Sequence, residues 1–459
     1  MPVPHPSRLG MHHCIQYLRS FVRRCLLCHN RKENQMKLQH LFVFFLTLIV
    51  SACTAIASPP DPTPIPLPPA QHVESAFQWL ETHAMMKDNV DWIALRAETA
   101  DLVAGAQTTA DTYPAICQAL KELKDGNAWL LVPSLEIPNF YTGYQTLYPE
   151  NQVVIRIEPD SPAEKAGLQV GDRIEQVNGQ PPVPYEEADA FPPCNEKEMD
   201  TSTEEQLIIQ RDGQLLQINV ARNKITAGRD PYNPPVGRRL GGDERGVGYI
   251  ELTLESGSHL QYPTDVQKLM RNMDRTPVCG WMLDLRRTPG GDVWSYIAAV
   301  GPVLGEGDLG GFQYSDGRQE AWTYRNGEVF WNNEYRYESE IDGSVYKPKR
   351  VTPVALLVSP ATQAAGELLL IAFQGRADIR SFGEPTRGLP TLITHTDLSD
   401  GSKLLVSGAF SFDRNGTVYN GPIPPDVFVE TDWSKFGTEQ DPVILAAMDW
   451  LYSQSTCLP

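Results

Sequence analysis

PVALLVSPATQAAGE, residues 353–367, reads as a buried strand, Pro353 to Val358, that leads through Ser359-Pro360-Ala361-Thr362 into a helix from about Ala365 to Phe373. An unbroken apolar run of this length fits a strand covered on both faces. The pattern repeats on either side. Gly248 to Leu252 is a strand, and Gly280 to Arg286, GWMLDLR, is another that runs into Thr288-Pro289-Gly290-Gly291 and a helix from Trp294 to Val303. Asp378 to Thr386 is the next strand and turn. Strands alternating with helices imply a layered α/β architecture with parallel crossovers.

The chain has 459 residues, room for two or three domains at about 100–200 residues each. Hydrophobic residues make up 41% and charged residues 21%, a balance that builds cores. With 39 Lys+Arg against 57 Asp+Glu the net charge is −18, which repels phosphate backbones and argues against nucleic-acid partners. No apolar run reaches the ~20 residues of a spanning helix, which excludes a polytopic membrane protein.

Leu41 to Val50, LFVFFLTLIV, is too short to span but fits the core of a signal peptide. Residues 1–52 are therefore expected to be a signal segment, with Met36 as the true start and 36–52 as the signal peptide. The run ends Val50-Ser51-Ala52-Cys53, which resembles a bacterial lipobox, so Cys53 is the expected lipidation site; an ordinary secretory signal with an incidental cysteine is the alternative. This places the protein in the cell envelope, lipid-anchored and facing outside the cytoplasm. Cys25-Leu26-Leu27-Cys28-His29 matches a covalent haem motif, but it precedes the apolar core and would be lost on export. The first 52 residues hold seven basic residues and one acidic residue, so the remainder carries −24. Cys117, Cys194, Cys279 and Cys457 show no metal-ligand spacing, and no metal or cofactor is expected. Export permits disulfides, but the pairing stays open. Residues 53–70 hold the lipidated cysteine and SPPDPTPIPLPPA, a semi-rigid polyproline spacer.

Residues 71–138 read as a helical domain. Val73, Phe77, Leu80 and Ala84 share one face, Asp91 caps a second helix carrying Ile93, Ala94, Ala97 and Ala100, and Asp125-Gly126 ends a third, with Gly126 available for the left-handed conformation. Residues 139–225 contain a strand, QVVIRIE, followed by SPAEKAGLQVGDRIEQVNG at 161–179, with hairpin turns at Asn178-Gly179 and Asp212-Gly213. This segment resembles a PDZ domain of the bacterial protease type. PDZ domains add an extended peptide to a sheet edge and hold its carboxylate on backbone amides. The corresponding loop would lie near Gly143 and Tyr144, where the match is poor. Pro181 to Asp200 reads as an insertion.

Together with residues 235–450, these pieces are similar to the C-terminal processing peptidases, or tail-specific proteases, and within them to the tricorn-core-like branch. The resemblance rests on GWMLDLRRTPGG, PVALLVSPATQAAGE, SFGEPTRGLPT, Leu398-Ser399-Asp400-Gly401 and GPIPPDV at 421–427. It implies a multidomain α/β protein with a crotonase-like α/β catalytic core, a β-rich PDZ-like domain and an N-terminal helical cap. It also implies serine-type peptide hydrolysis: a hydroxyl nucleophile, a base and backbone oxyanion donors. The family's nucleophile position is occupied here by Ala364, which has no nucleophilic atom. The histidine base position reads Asn127, whose amide is not basic. The lysine of the other branch is replaced too, the turn reading Arg387-Gly388-Leu389. The orienting glutamate has no clear match, Asp426 being the nearest acid. The oxyanion positions survive: Gly290 and Gly291 match the Gly-Gly turn, and the N–H of Ala365 is the second donor.

Of the histidines after the signal segment, His72, His83, His259 and His395, none lies in a matching motif. Ser359 and Thr362 fall at family positions and read as structural, and Ser258-His259 reads as a surface loop. The expectation is therefore a peptide-binding pseudopeptidase for peptides or unfolded protein C-termini, with a second copy or an active homologue as further candidate partners. The alternative is an active serine endopeptidase using unmatched residues.

Overall fold

The structure, a computed structural model, describes residues 67–132, 140–147, 152–183, 194, 202–224, 233–242, 246–254, 261–338 and 344–458. Cys53, the haem-like motif, the spacer before residue 67, most of the 181–200 insertion and Ser258-His259 lie outside them.

Three helices open the described chain, Pro69–His83, Trp92–Gly105 and Tyr113–Leu123. Asp91 caps the second as expected, its side chain accepting from the N–H groups of Ile93 and Ala94. The apolar face of that helix is not the expected one. Ile93 is 85% exposed, while Leu95 and Thr99 face inward. Arg96 fixes this rotation by bridging Glu74 and Glu81 on the first helix. Alanines at 94, 97 and 100 are too small to mark a buried face. The third helix ends on Lys124 in the left-handed conformation at φ 53°, rather than on Gly126. Gly126 has another use: a Cβ there would meet the Leu389 side chain at 2.8 Å.

The helical unit shares its core with Leu398, Leu404 and Val406 of the later chain. Its strand Trp129–Leu131 pairs antiparallel with Lys403–Leu405. That strand is one of the eight in an antiparallel sheet whose other members come from 307–338 and 391–419, and the helices pack on the sheet through the shared core. That sheet has no counterpart in the sequence reading.

The second large sheet is the anticipated α/β element. Its six strands run in the order Val427–Phe428, Ile379–Gly383, Val354–Val358, Gly280–Asp284, Val247–Glu251, Val236–Leu240, parallel except for the last. The three central strands are buried at every residue, so alternate side chains serve opposite faces. Ile250, Leu283 and Leu356 pack with helices Tyr262–Met273, Val293–Leu304 and Ala365–Phe373. Tyr249, Met282 and Leu357 pack with helix Pro442–Tyr452. Beneath that last helix, Arg286 lies fully buried between Asp284 and Asp441, at 2.6 and 2.8 Å.

The PDZ-like unit has its own small core of Val154, Ala163, Leu168, Ile174, Leu207, Ile209 and Val220. Its two hairpin turns take positive φ at Asn178-Gly179 and Asp212-Gly213, as the sequence demanded. A second apolar group, Ile155 with Ala361 and Trp433, seats it on the α/β core.

The open disulfide question resolves into Cys117–Cys194 and Cys279–Cys457. The first ties the third helix to the segment after the PDZ-like motif. The second staples the Gly280 strand to the chain beyond the last helix. Cys117 and Cys194 are half-buried, whereas Cys279 and Cys457 are sealed in the core. Thiol access controls exchange. Graded dithiothreitol with alkylation and mass spectrometry should therefore show Cys117–Cys194 opening well before Cys279–Cys457; simultaneous opening would contradict this burial.

Candidate active site

Ala364 sits between the Val354–Val358 strand and the Ala365–Phe373 helix with φ 46° and ψ −115°. A side-chain-bearing residue in such a sparsely populated region costs about 1–3 kcal/mol and persists only where its surroundings dictate it. Four contacts do so here. The Gln363 N–H donates to the Thr288 carbonyl at 3.2 Å, and its side-chain amide to the Pro289 carbonyl at 2.6 Å. The Ala364 N–H donates to Glu367 Oε2 at 3.0 Å, and its carbonyl accepts from Leu368 at 2.9 Å. The result is a sharp strand-to-helix elbow that presents the Ala364 methyl group.

The structure brings the predicted oxyanion groups to this elbow. A Cβ on Gly290 would lie 3.9 Å from the Ala364 Cβ. Gly290 and Gly291 both hold positive φ, 136° and 107°. The Gly290 carbonyl accepts from the Tyr296 hydroxyl at 3.0 Å, which fixes the turn's orientation. Ala365 is the first residue of its helix, where N–H groups have no intrahelical partner and face positive potential outward.

Glu367 carries no capping-box signal in the sequence, which would need Ser or Thr at the cap where this chain has Ala364. It is fully buried beneath the elbow. Its carboxylate accepts from the N–H groups of Ala364, Gly388 and Leu389 and from the Thr386 hydroxyl at 2.6–3.0 Å. Burial raises its pKa, against the pull of these donors. Glu367→Gln is expected to destabilise the fold by about 1–3 kcal/mol, because an amide cannot accept from all four donors. Urea unfolding measures this, and an unchanged midpoint would contradict it.

Asn127 is buried and spends its amide N–H groups on Thr391 Oγ1 at 2.9 Å and Ser407 Oγ at 3.4 Å. Asp125 holds the same cluster, accepting from the Ser407 N–H and hydroxyl at 2.7 and 2.8 Å. The link to the elbow runs through Leu389, whose side chain packs on Gly126 while its N–H reaches Glu367. Asp426 is placed elsewhere: it accepts from the Ser381 N–H and hydroxyl at 2.8 and 2.9 Å.

No other candidate among the described residues joins the site. Ser359 donates to the Arg286 carbonyl and Thr362 to that of Leu285, both at 2.8 Å and fully buried, so they brace the strand end. His72 is buried against Ser399 and Asp400, and burial lowers its pKa. His83 stacks on Trp79, and His395 is exposed on the antiparallel sheet. Asp292 beside Gly291 is spent as the cap of the next helix, accepting from the Trp294 N–H at 3.2 Å.

In the PDZ-like unit, Gly143 takes φ 81°, with Ser161 packed so close that a Cβ would overlap it. The Gly143 carbonyl accepts from Glu158 at 2.8 Å and that of Thr142 from Ala163 at 2.9 Å. Tyr144 turns inward and donates to Glu205 at 2.8 Å.

Residues 246–429 match the model of peptidase family S41, and residues 153–191 that of the PDZ domain. The nisin-resistance protein of Lactococcus lactis is 28% identical over 176 residues, 38% of this chain and 50% of that protein. A carboxyl-terminal-processing protease of a Picosynechococcus species is 25% identical over 370 residues, 75% of this chain and 80% of that protein. The chain spans about half the length of the first of these relatives and 59% of a carboxy-terminal-processing protease from Bartonella bacilliformis. Among solved structures, a photosystem II D1 C-terminal processing protease superposes with a TM-score of 0.55 at 20% identity, covering 85% of this chain and 99% of that one. A lipoprotein from Streptococcus agalactiae gives 0.50 at 15% identity, covering 85% and 98%. These likenesses establish the fold.

Proposed function

As the chain belongs to peptidase family S41 and carries a PDZ domain, we propose that it is a pseudopeptidase, a protein that binds peptides or unfolded protein C-termini without cutting them. The observation that carries this reading is the elbow: its backbone is held in the strained form beside the Gly290-Gly291 turn, yet the residue it presents is Ala364. Hydrolysis by this route needs an attacking hydroxyl and a base. Ala364 supplies no hydroxyl. Asn127 is an amide locked onto Thr391 and Ser407 and accepts no proton at physiological pH. Oxyanion donors and binding alone leave roughly 10³–10⁴-fold over the uncatalysed rate in well-studied serine proteases, too little to turn over peptides.

The protein acts in the cell envelope, held by a lipid on Cys53 at the end of its apolar leader. The two disulfides agree with an oxidising compartment, and one protein of similar fold is described as a lipoprotein.

The test incubates the purified protein with denatured proteins and a peptide mixture, and reads new termini and retained peptides by mass spectrometry. Retention without cleavage above a mock purification is expected. Cleavage absent from the mock would overturn the reading.

A further inference from the structure

Two guanidinium groups meet where the PDZ-like unit sits on the α/β core. Arg287, three residues before Gly290, donates to Glu251 at 2.9 Å from Nε and to the Ile155 carbonyl at 3.2 Å, and lies 4.1 Å over the Phe436 ring. Its charge is matched. Arg156, next to Ile155 on the strand Val154–Ile157, is not served in this way. Among the described residues its guanidinium makes one hydrogen bond, from Nη2 to the neutral Oδ1 of Asn233 at 2.9 Å, and no carboxylate lies within 4.0 Å of it. Arginine carries five donors in a fork shaped for a carboxylate, so most of this fork is unused. Burial and the positive charge of Arg287 lower the Arg156 pKa, against the longer-range attraction of Glu158 and Glu251, neither of which bonds its fork.

The position matters as much as the charge. The Asn233 carbonyl accepts from the Thr253 hydroxyl at 2.7 Å. The Thr253 carbonyl accepts from the Tyr296 hydroxyl at 2.8 Å, and that hydroxyl also reaches the Gly290 carbonyl at 3.0 Å. A short run of contacts therefore joins Arg156 to the turn beside Ala364. The loop at 141–144 is closed by its own contacts: Tyr141 donates to Glu158 at 2.6 Å, and Tyr144 donates at 2.8 Å to Glu205, which is paired with Arg222 at 3.7 Å.

We propose that Arg156 is the anchor for a carboxylate of the bound peptide, seated at the seam between the PDZ-like unit and the core. The proposal rests on the peptide-binding reading above and names the chemistry of its ligand. The carboxylate can come from a peptide's C-terminus or from an aspartate or glutamate side chain.

The test uses the full chain in detergent and three randomised heptapeptide pools: free C-termini without acidic residues, the same pool C-terminally amidated, and an amidated pool containing Asp and Glu. The unaltered protein should retain at least one carboxylate-bearing pool about tenfold better than the neutral amidated pool, the size of one charge-assisted bidentate contact. Preference for the first pool assigns the site to the terminus, and preference for the third to side chains. Arg156→Gln should abolish the preference while leaving weak, equal retention of all pools. Arg156→Lys, which keeps the charge but not the fork, should restore part of it. A melting curve for each variant guards against misfolding. Equal retention of all three pools by the unaltered protein, or an undiminished preference in folded Arg156→Gln, would overturn the anchor and leave peptide binding standing. Retention of no pool would sink the peptide-binding reading itself.

Discussion

Ala364→Ser combined with Asn127→His should give a protein that hydrolyses peptides about 10²–10⁴-fold faster than the unaltered chain, while each single substitution stays near background. The asymmetry follows from how these groups act. A serine hydroxyl without a base is a poor nucleophile, and a base without a nucleophile has nothing to activate, so their effects are grossly non-additive. General-base assistance contributes typically ~10²–10⁴-fold. The expectation rests on the elbow at φ 46°, the Gly-Gly turn against it, and the buried Thr391 and Ser407 hydroxyls, held by Asp125, that an imidazole at 127 would meet. Fluorogenic peptide turnover measures the gain. A folded but inert double variant would show that position 127 does not present a base to the elbow. Equal activity in the serine single variant would reveal a base elsewhere in the cleft.

Arg286→Met should be the most damaging single change to stability. Arg286, Asp284 and Asp441 are all fully buried, and the guanidinium bonds both carboxylates. Asp441 also caps the last helix, accepting from the N–H groups of Val443 and Ile444. Removing the cation strands two buried anions, a loss of about 3–5 kcal/mol against a total stability of about 5–15 kcal/mol. The pH dependence has a definite sign. Burial alone would raise the Asp284 carboxyl, but Arg286 beside it holds the carboxyl below its ordinary value. A depressed folded pKa gives stability that is present at neutral pH and lost as pH falls through the folded value. In Arg286→Met the depression is gone and burial dominates, so mild acidification from neutral should stabilise the variant relative to its parent. Urea midpoints at several pH values measure both effects, and a variant as stable as its parent at neutral pH would contradict the account.

What the sequence disclosed tracks how local each signal is. The strand and helix around Ala364 were legible because an all-apolar run and a helical run adjoin there. The turns at Asn178-Gly179 and Asp212-Gly213 were legible because positive φ leaves a compositional mark. The antiparallel sheet was not. Strands such as Lys403–Asp413 mix glycine, serine and apolar residues, and their pairing with 129–131 and 307–314 is set by contacts far apart in the chain. The elbow residue is marked by its motif, but Glu367 beneath it is not, since a fully buried carboxylate looks from sequence like an exposed helical one. Arg156 carried no mark at all. Its environment comes from Arg287, Asn233 and Tyr296, which only the folded chain gathers around it.

The strained turn at Ala364 also bears on ancestry and on what a few mutations could do. Every alanine codon becomes a serine codon by changing its first base, and every asparagine codon becomes a histidine codon in the same way. The backbone that a nucleophile would require is already formed around position 364. A lineage carrying this gene therefore stands two point changes from the chemistry proposed to be absent, with no loop to rebuild. Since the strained elbow costs stability, Ala364→Gly should relieve the positive φ and raise the melting temperature, which makes the idle turn a measurable load on the fold.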